Sequence, residues 1–211
     1  MTEYRLFTGD VPYVSTAAFH EHRERAAHFE QPAHRPRLEK ALKFIAAAYV
    51  WLAAEGVNDI TLSDLGCGDG GLLQFVGETI PDRDTLGVNF SAWGYDFQPS
   101  NQAGWDERGV TAELRDAFAP DHPGVILGDI AVMTEVLEHL ADPHGTVRWV
   151  GAHCRFVVAS SPWNETPESH DECHAWSWDH DGYRALIEQG GYEVLRHESV
   201  GQFQIILGER K

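Results

Sequence analysis

Positive charge is what this chain has least of. Its 211 residues carry 16 Lys and Arg against 33 Asp and Glu, a formal net charge of -17. Lysine is scarce, and the richest basic stretch, His34-Arg35-Pro36-Arg37, is four residues long. Such a field repels a nucleic-acid backbone or an anionic membrane, so neither is an expected partner. Cysteine is sparse too. Cys67, Cys154 and Cys173 make an odd set with no CxxC pair, which argues against a disulfide scaffold. No apolar run reaches membrane-spanning length, and no basic region leads into an apolar one near the N-terminus. A cytoplasmic protein is expected, and Asn164-Glu165-Thr166 reads as a chance glycosylation sequon. Oligomeric state has no sequence signal.

What is present fits one compact domain: 43% hydrophobic and 23% charged residues, with seven tryptophans gathered mostly in the second half. The organising stretch is Ile60 to Leu72, ITLSDLGCGDGGL. Thr61–Leu65 reads as a strand, Gly66 to Gly71 as a glycine turn, and Leu72–Val76 as one side of a helix. Strand, glycine turn and helix present backbone N–H groups and a helix N-terminus to a nucleotide-like ligand.

Before this turn, residues 1–20 read as an irregular arm and Ala17–Gln31 as helix-compatible. Leu38, Leu42, Ile45, Tyr49 and Leu52 recur at helical spacing over 38–54, with Gly56 just past the end. After it, Thr85–Phe90 is predicted as the second strand and 91–109, with Pro99-Ser100-Asn101 in its middle, as a broken helix or surface loop. Strands follow over 110–114, 130–133 and 155–159, and a helix over roughly 144–152. A long loop, 160–178, precedes a helix over 179–189 and two closing strands, Tyr192–Glu198 and Gln202–Glu209. Strands alternating with helices predict an α/β fold with a mostly parallel sheet, helices on both faces and an antiparallel pair at one edge.

The glycines also fit GxGxxG through Gly66, Gly68 and Gly71. Asp64, two residues ahead, sits poorly against a pyrophosphate and well against a cationic ligand, and about 60 residues precede the motif. Both features weigh against NAD. Asp64-Leu65-Gly66-Cys67-Gly68-Asp69-Gly70 resembles the first motif of the class I S-adenosylmethionine (SAM)-dependent methyltransferases, over about residues 38–209. The resemblance implies a single Rossmann-like domain, 38–211, with a seven-stranded sheet, and residues 1–37 as an N-terminal helical arm or pocket cover. It also implies that Asp64, Gly66, Cys67 and Gly68 surround the methionine part of SAM. By the same resemblance Asn89 replaces the acid that usually bonds the ribose, Phe90 packs on the adenine, and Asp116 with Ala117 holds its amino group.

Glu135-Val136-Leu137-Glu138-His139 is the second constellation. If 135–140 opens a helix, Glu135, Glu138 and His139 share a face. Two carboxylates and an imidazole suit Mg²⁺, Mn²⁺, Fe²⁺ or Zn²⁺, with one more ligand from elsewhere. ExxEH followed by a histidine before an aromatic-rich segment is similar to the quinone-biosynthesis O-methyltransferases and the small-RNA 2'-O-methyltransferases. The latter resemblance implies metal ligands Glu135, Glu138, His139 and His174, while His170 and Cys173 read as loop residues. Without metal, His139 or His174 serves as general base. EVLEHL is also common wording in metal-free members, where Glu135 faces the cofactor. The expected function is methyl transfer to a small molecule, foremost at a hydroxyl oxygen, with catalytic residues among His139, His174 and Glu138. Transfer to nitrogen, RNA 2'-O-methylation and a non-catalytic SAM-binding domain are the alternatives.

Overall fold

The computed structural model describes residues 2–6, 19, 28–80, 87–119 and 124–211. Most of the helix-compatible stretch, 17–31, lies outside these residues. Within the first twenty, Glu3–Arg5 forms a short strand, β1. Helix α1 spans Arg35–Ala54. Pro36 stands in its first turn, where a missing N–H costs nothing, and Gly56, at φ +87, ends it by donating to the Ala53 carbonyl at 3.0 Å. Its predicted stripe lies on its buried face: Leu38, Ile45, Tyr49 and Leu52 are all at most 4% exposed, and Leu42 is partly buried at the edge.

Strand β2 is Asp59–Leu65 and α2 is Gly71–Thr79, flanking the glycine turn as predicted. Next come β3 (Asn89–Asp96), α3 (Gln102–Arg108) and β4 (Ala112–Leu114). The second strand therefore runs later than predicted and takes residues 91–96 of the stretch expected to be a broken helix or surface loop. The rest of that stretch holds a short 3₁₀ turn, Pro99–Asn101, and α3. Strand β5 is Ile130–Thr134, α4 Pro143–His153, and β6 Phe156–Pro162. The 160–178 stretch is a loop only in part. Its end, Trp176–Trp178, is strand β7, antiparallel to β1. Helix α5 (His180–Gln189) and the β8 (Tyr192–Val200) and β9 (Phe203–Arg210) hairpin complete the chain.

The seven-stranded sheet has the order β4-β3-β2-β5-β6-β9-β8, parallel as far as β6 and antiparallel at β9 and β8. Alternation along the central strands sorts two cores. Ile130, Val132, Phe156, Val158, Ile205 and Leu207 face α1 and α2. Ala131, Met133, Val157, Ala159 and Ile206 face α4 and α5. Because both faces are covered, these strands read as continuous apolar runs. No described helix is long and apolar enough to cross a membrane.

The second layer depends on one close approach. A Cβ on Gly151, in α4, would fall 1.8 Å from the Gly190 carbonyl oxygen beyond α5. The obstacle is backbone, so relief requires moving one helix off the other. Gly151→Ala is expected to lower the unfolding free energy by roughly 2–3 kcal/mol, read as an earlier urea midpoint.

Candidate functional site

The chain order reverses between β2 and β5, and the cavity lies at the carboxyl ends of the strands there, where open α/β sheets bind ligands. It encloses about 630 Å³. Leu65 ends β2, and the chain then turns through Gly66, Gly68 and Gly70 at φ +82, +54 and +82. These angles favour glycine. Gly66 also passes so close to Val136 that an added Cβ would sit 2.7 Å from its Cγ2 atom, whereas a Cβ on Gly68 would meet nothing within 4 Å.

The turn is anchored from β3. Gly66 and Cys67 both donate their N–H to the Tyr95 carbonyl, at 2.8 and 3.0 Å, and Gly68 donates to Asp96 Oδ2 at 3.0 Å. The other Asp96 oxygen accepts from the Gln98 backbone at 2.8 Å and from Asn101 Nδ2 at 3.1 Å. Trp105 Nε1 caps the Gly68 carbonyl at 2.7 Å, and Arg108 pairs with Asp69 at 2.6 Å. A single strand-end carboxylate thus connects the glycine turn to the segment that follows β3.

Asp64 lies beneath this turn, 2% exposed, and its Oδ1 has no hydrogen-bond partner among the described residues. Burial raises its pKa to about 7, the nearby Asp96 charge pushes the same way, and Arg37 opposes. A buried carboxylate with an orphaned oxygen and a like charge beside it is a receptor for a cation. That fits the amine and sulfonium of SAM.

Of the residues expected at the cofactor, Asp64, Gly66, Cys67, Gly68, Ala117 and Glu135 line the cavity. Three do not. Asn89 opens β3 instead of closing it, at the far end of the strand, and its amide donates to Asp59. Phe90 packs edge-on against Tyr49, ring centroids 5.6 Å apart, within the α1 layer. Asp116 is exposed and its Oδ1 caps the Phe118 N–H at 2.9 Å, leaving Ala117 as the lining residue. Asp96 and Phe97, which the sequence pattern did not single out, occupy the strand end where Asn89 and Phe90 were expected. The usable signal is YDF following an apolar alternation that does not stop at Phe90.

The second constellation is also rearranged. Residues 135–140 do not open an α-helix. Leu137–His139 is a single 3₁₀ turn, and Glu135 has φ +59, the one non-glycine positive φ among the described residues. Glu135 therefore shares no helical face with Glu138 and His139. It lines the cavity, its Oε1 accepting from Ser160 Oγ at 2.8 Å with Arg37 Nε 3.9 Å away. Burial raises its pKa while Arg37 and Ser160 oppose. A backbone cost of roughly 1 kcal/mol or more, sustained at a lining residue, is typical of a functional position. Glu138 is fully buried, and neither carboxylate oxygen has a partner among the described residues. Burial and then the Glu135 charge push its carboxyl far above the usual range.

His139 lines the cavity and His174 stands behind it, 9% exposed, with ring centroids 4.7 Å apart. Of the four residues expected to share a metal, the structure groups these two, and Cys173 joins them in place of Glu135 and Glu138. His170 is held at the loop surface by the Asp171 carbonyl at 2.7 Å.

The profile of a family described as "methyltransferase domain" matches residues 29–199. No protein of curated function matches in sequence. Solved structures share the fold. Magnesium protoporphyrin IX methyltransferase from Synechocystis PCC 6803, with bound SAM, superposes with a TM-score of 0.58 at 11% identity over 94% of each chain. The N-terminal domain of EvdMO1, solved with S-adenosylhomocysteine (SAH) and D-fucose, gives 0.55 at 14% identity, covering 89% of this chain and all of that one (100%). The CurJ carbon methyltransferase gives 0.61 at 12% identity, covering 82% of this chain and 55% of its own.

Proposed function

The chain belongs to the methyltransferase-domain family and is a SAM-dependent enzyme of class I fold, and from that premise we propose that it methylates a hydroxyl oxygen of a small molecule held in the cavity at the carboxyl ends of β2, β3 and β5. The observation that carries this reading is an imidazole, that of His139, on the wall of a 630 Å³ cavity whose floor is built for a cation. That volume suits a cofactor with a small acceptor. The net charge of -17 makes RNA 2'-O-methylation the poorer reading.

In this reading Asp64 receives the cofactor's cationic end, and the Gly66–Gly68 backbone passes along its methionine portion. Asp96 takes the ribose hydroxyls, the role that Asn89 was expected to fill, and Phe97 lies by the adenine with Ala117. Glu135 and Arg37 close the side facing α1. When bound, SAM supplies an electrophilic methyl group. The chain's own work is then to align an acceptor oxygen with that carbon and to remove its proton. His139 is suited to the second task, because it stands on the cavity wall with its Nδ1 3.2 Å from the Cys173 carbonyl. A proton on Nδ1, donated to that carbonyl, leaves the Nε2 lone pair as the base. In this reading His28 and Glu30, ahead of α1, serve as part of a cover over the cavity whose wall they line.

The test uses SAM labelled at its methyl group and a panel of hydroxyl- and amine-bearing small molecules. Label is expected on oxygen. His139→Ala is expected to lower kcat by about 10²–10³ with cofactor affinity unchanged, the usual range for loss of a general base. Label found only on nitrogen, or full turnover in His139→Ala, would sink the proposal.

A further inference from the structure

Among the described residues, one group brings three metal-ligating side chains together, where the 137–139 turn meets the loop before β7. A ligating atom from each of His139, Cys173 and His174 lies within 4.8 Å of the other two. The turn and the loop are fastened by the Ala175 N–H donating to the Glu138 carbonyl at 2.6 Å. The arrangement also governs which nitrogen of each ring carries its proton. His174 Nδ1 is 2.6 Å from Glu165 Oε2, and His139 Nδ1 is 3.2 Å from the Cys173 carbonyl. Acceptors at both Nδ1 atoms favour the proton there and the lone pair on Nε2, the form in which imidazole binds a metal. A carboxylate behind a ligating histidine also fixes the orientation of its ring. Cys173 is 1% exposed, and its thiol lies 3.0 Å from Asp171 Oδ1.

We propose that His139, Cys173 and His174 hold a zinc ion, with a fourth coordination position open to the cavity that His139 lines. Two nitrogens and a thiolate select a borderline-soft metal, whereas Mg²⁺ and Mn²⁺ favour carboxylate oxygens, and Glu135 and Glu138 stand outside the group. Zinc–ligand distances of about 2.0–2.3 Å require donor atoms roughly 3.5 Å apart, so from separations within 4.8 Å the side chains need close by no more than about an ångström on binding. Cys173 gives up its thiol proton, by way of Asp171, to solvent as the Zn–S bond forms. Three protein ligands and an open position are the pattern of a catalytic zinc, able to bind an acceptor oxygen and lower its pKa. That last consequence rests on the methyl-transfer reading above and alters it, since a metal on His139 Nε2 takes the lone pair that serves as base in the metal-free form and itself lowers the acceptor's pKa. The binding of the metal does not rest on it.

The experiment starts from the whole 211-residue chain, stripped with a chelator and titrated with Co²⁺ alone. One equivalent is expected to produce a thiolate-to-cobalt charge-transfer band with tetrahedral visible bands, and one equivalent of Zn²⁺ should bleach both. Cys173→Ser should abolish the charge-transfer band. Glu165→Gln, which leaves all three ligands in place, should weaken zinc binding about 10- to 100-fold with an unchanged circular-dichroism spectrum. Absence of the band, its persistence in Cys173→Ser, or unaltered zinc affinity in Glu165→Gln would overturn the proposal. Should Cys173→Ser fail to fold, Glu165→Gln decides alone. Calorimetry with SAM on the same metal-free protein separates the two readings, since cofactor binding without cobalt binding removes only the metal.

Discussion

Asp96→Ala is expected to weaken SAM binding by about 100-fold or more, whereas Asn89→Ala leaves it unchanged. The asymmetry follows from the two ends of β3. At its carboxyl end, Asp96 accepts three hydrogen bonds, from the Gly68 and Gln98 backbones and from the Asn101 amide. The first fixes the glycine turn, and the other two fix the segment leading into α3. Removing the carboxylate releases all three donors together. Hydrogen bonds to a charged group contribute about 1.5–3 kcal/mol each. The loss of one to the turn, together with the proposed ribose contact, gives the expected factor. At the amino end, Asn89 bonds Asp59 at the opposite end of the strands from the cavity and bears on neither. Calorimetry with SAM on both variants checks this. Equal affinities would show that the ribose is held elsewhere.

The same strand shows how far the sequence could be read and where it misled. Wherever burial repeats along an element, the pattern was legible. The α1 stripe, the apolar runs of β5 and β6, and the closing hairpin emerged close to their predicted positions. The glycine turn was legible because its backbone angles demand glycine. Strand β3 misled because its first residues, Asn89-Phe90-Ser91, look like a strand running into a turn. Its later half, Ala92 to Asp96, carries a glycine, which argues against a strand interior. The structure supplies the reason for that glycine. A Cβ on Gly94 would lie 2.5 Å from Cys67 Sγ, so the glycine turn itself needs the space. The two motifs are one packing unit, a fact that spacing along the chain cannot reveal. Glu135 misled differently. Helical spacing of ExxEH predicted a shared face, but the positive φ of Glu135 turns it away, and no residue-type pattern marks a non-glycine residue for that conformation. Cys173 read as a loop residue because its partners lie 34 residues away along the chain at His139 and next to it at His174, and only the folded loop brings all three together.

Asp64→Asn is expected to make the cofactor-free protein more stable above pH 7 and, at the same time, to abolish tight SAM binding. The carboxyl is buried, carries an orphaned oxygen and has its pKa raised from 3.8 to about 7. A folded-state pKa above the unfolded one means that the folded protein holds the proton more tightly. Stability linked to Asp64 is therefore fully present below about pH 4, declines as the pH rises to about 7, and is constant above it. The decline is on the order of 4 kcal/mol. Asparagine cannot ionise and should escape it, so the variant is expected to unfold later than the parent at pH 8 and to show a flatter stability profile between pH 4 and 7. Ligand binding runs in the opposite direction. Below about pH 7 a cationic ligand must displace the proton on Asp64, so SAM affinity in the parent should rise about tenfold per pH unit and level off above pH 7. In Asp64→Asn that slope disappears and affinity stays roughly 100-fold lower at pH 8, because a buried charge–charge contact is lost. Thermal melts and calorimetry across pH 5–8 measure both halves. A variant no more stable than the parent at pH 8 would mean that Asp64 is compensated in the free enzyme, and a retained pH slope in cofactor affinity would assign the titrating group to another residue.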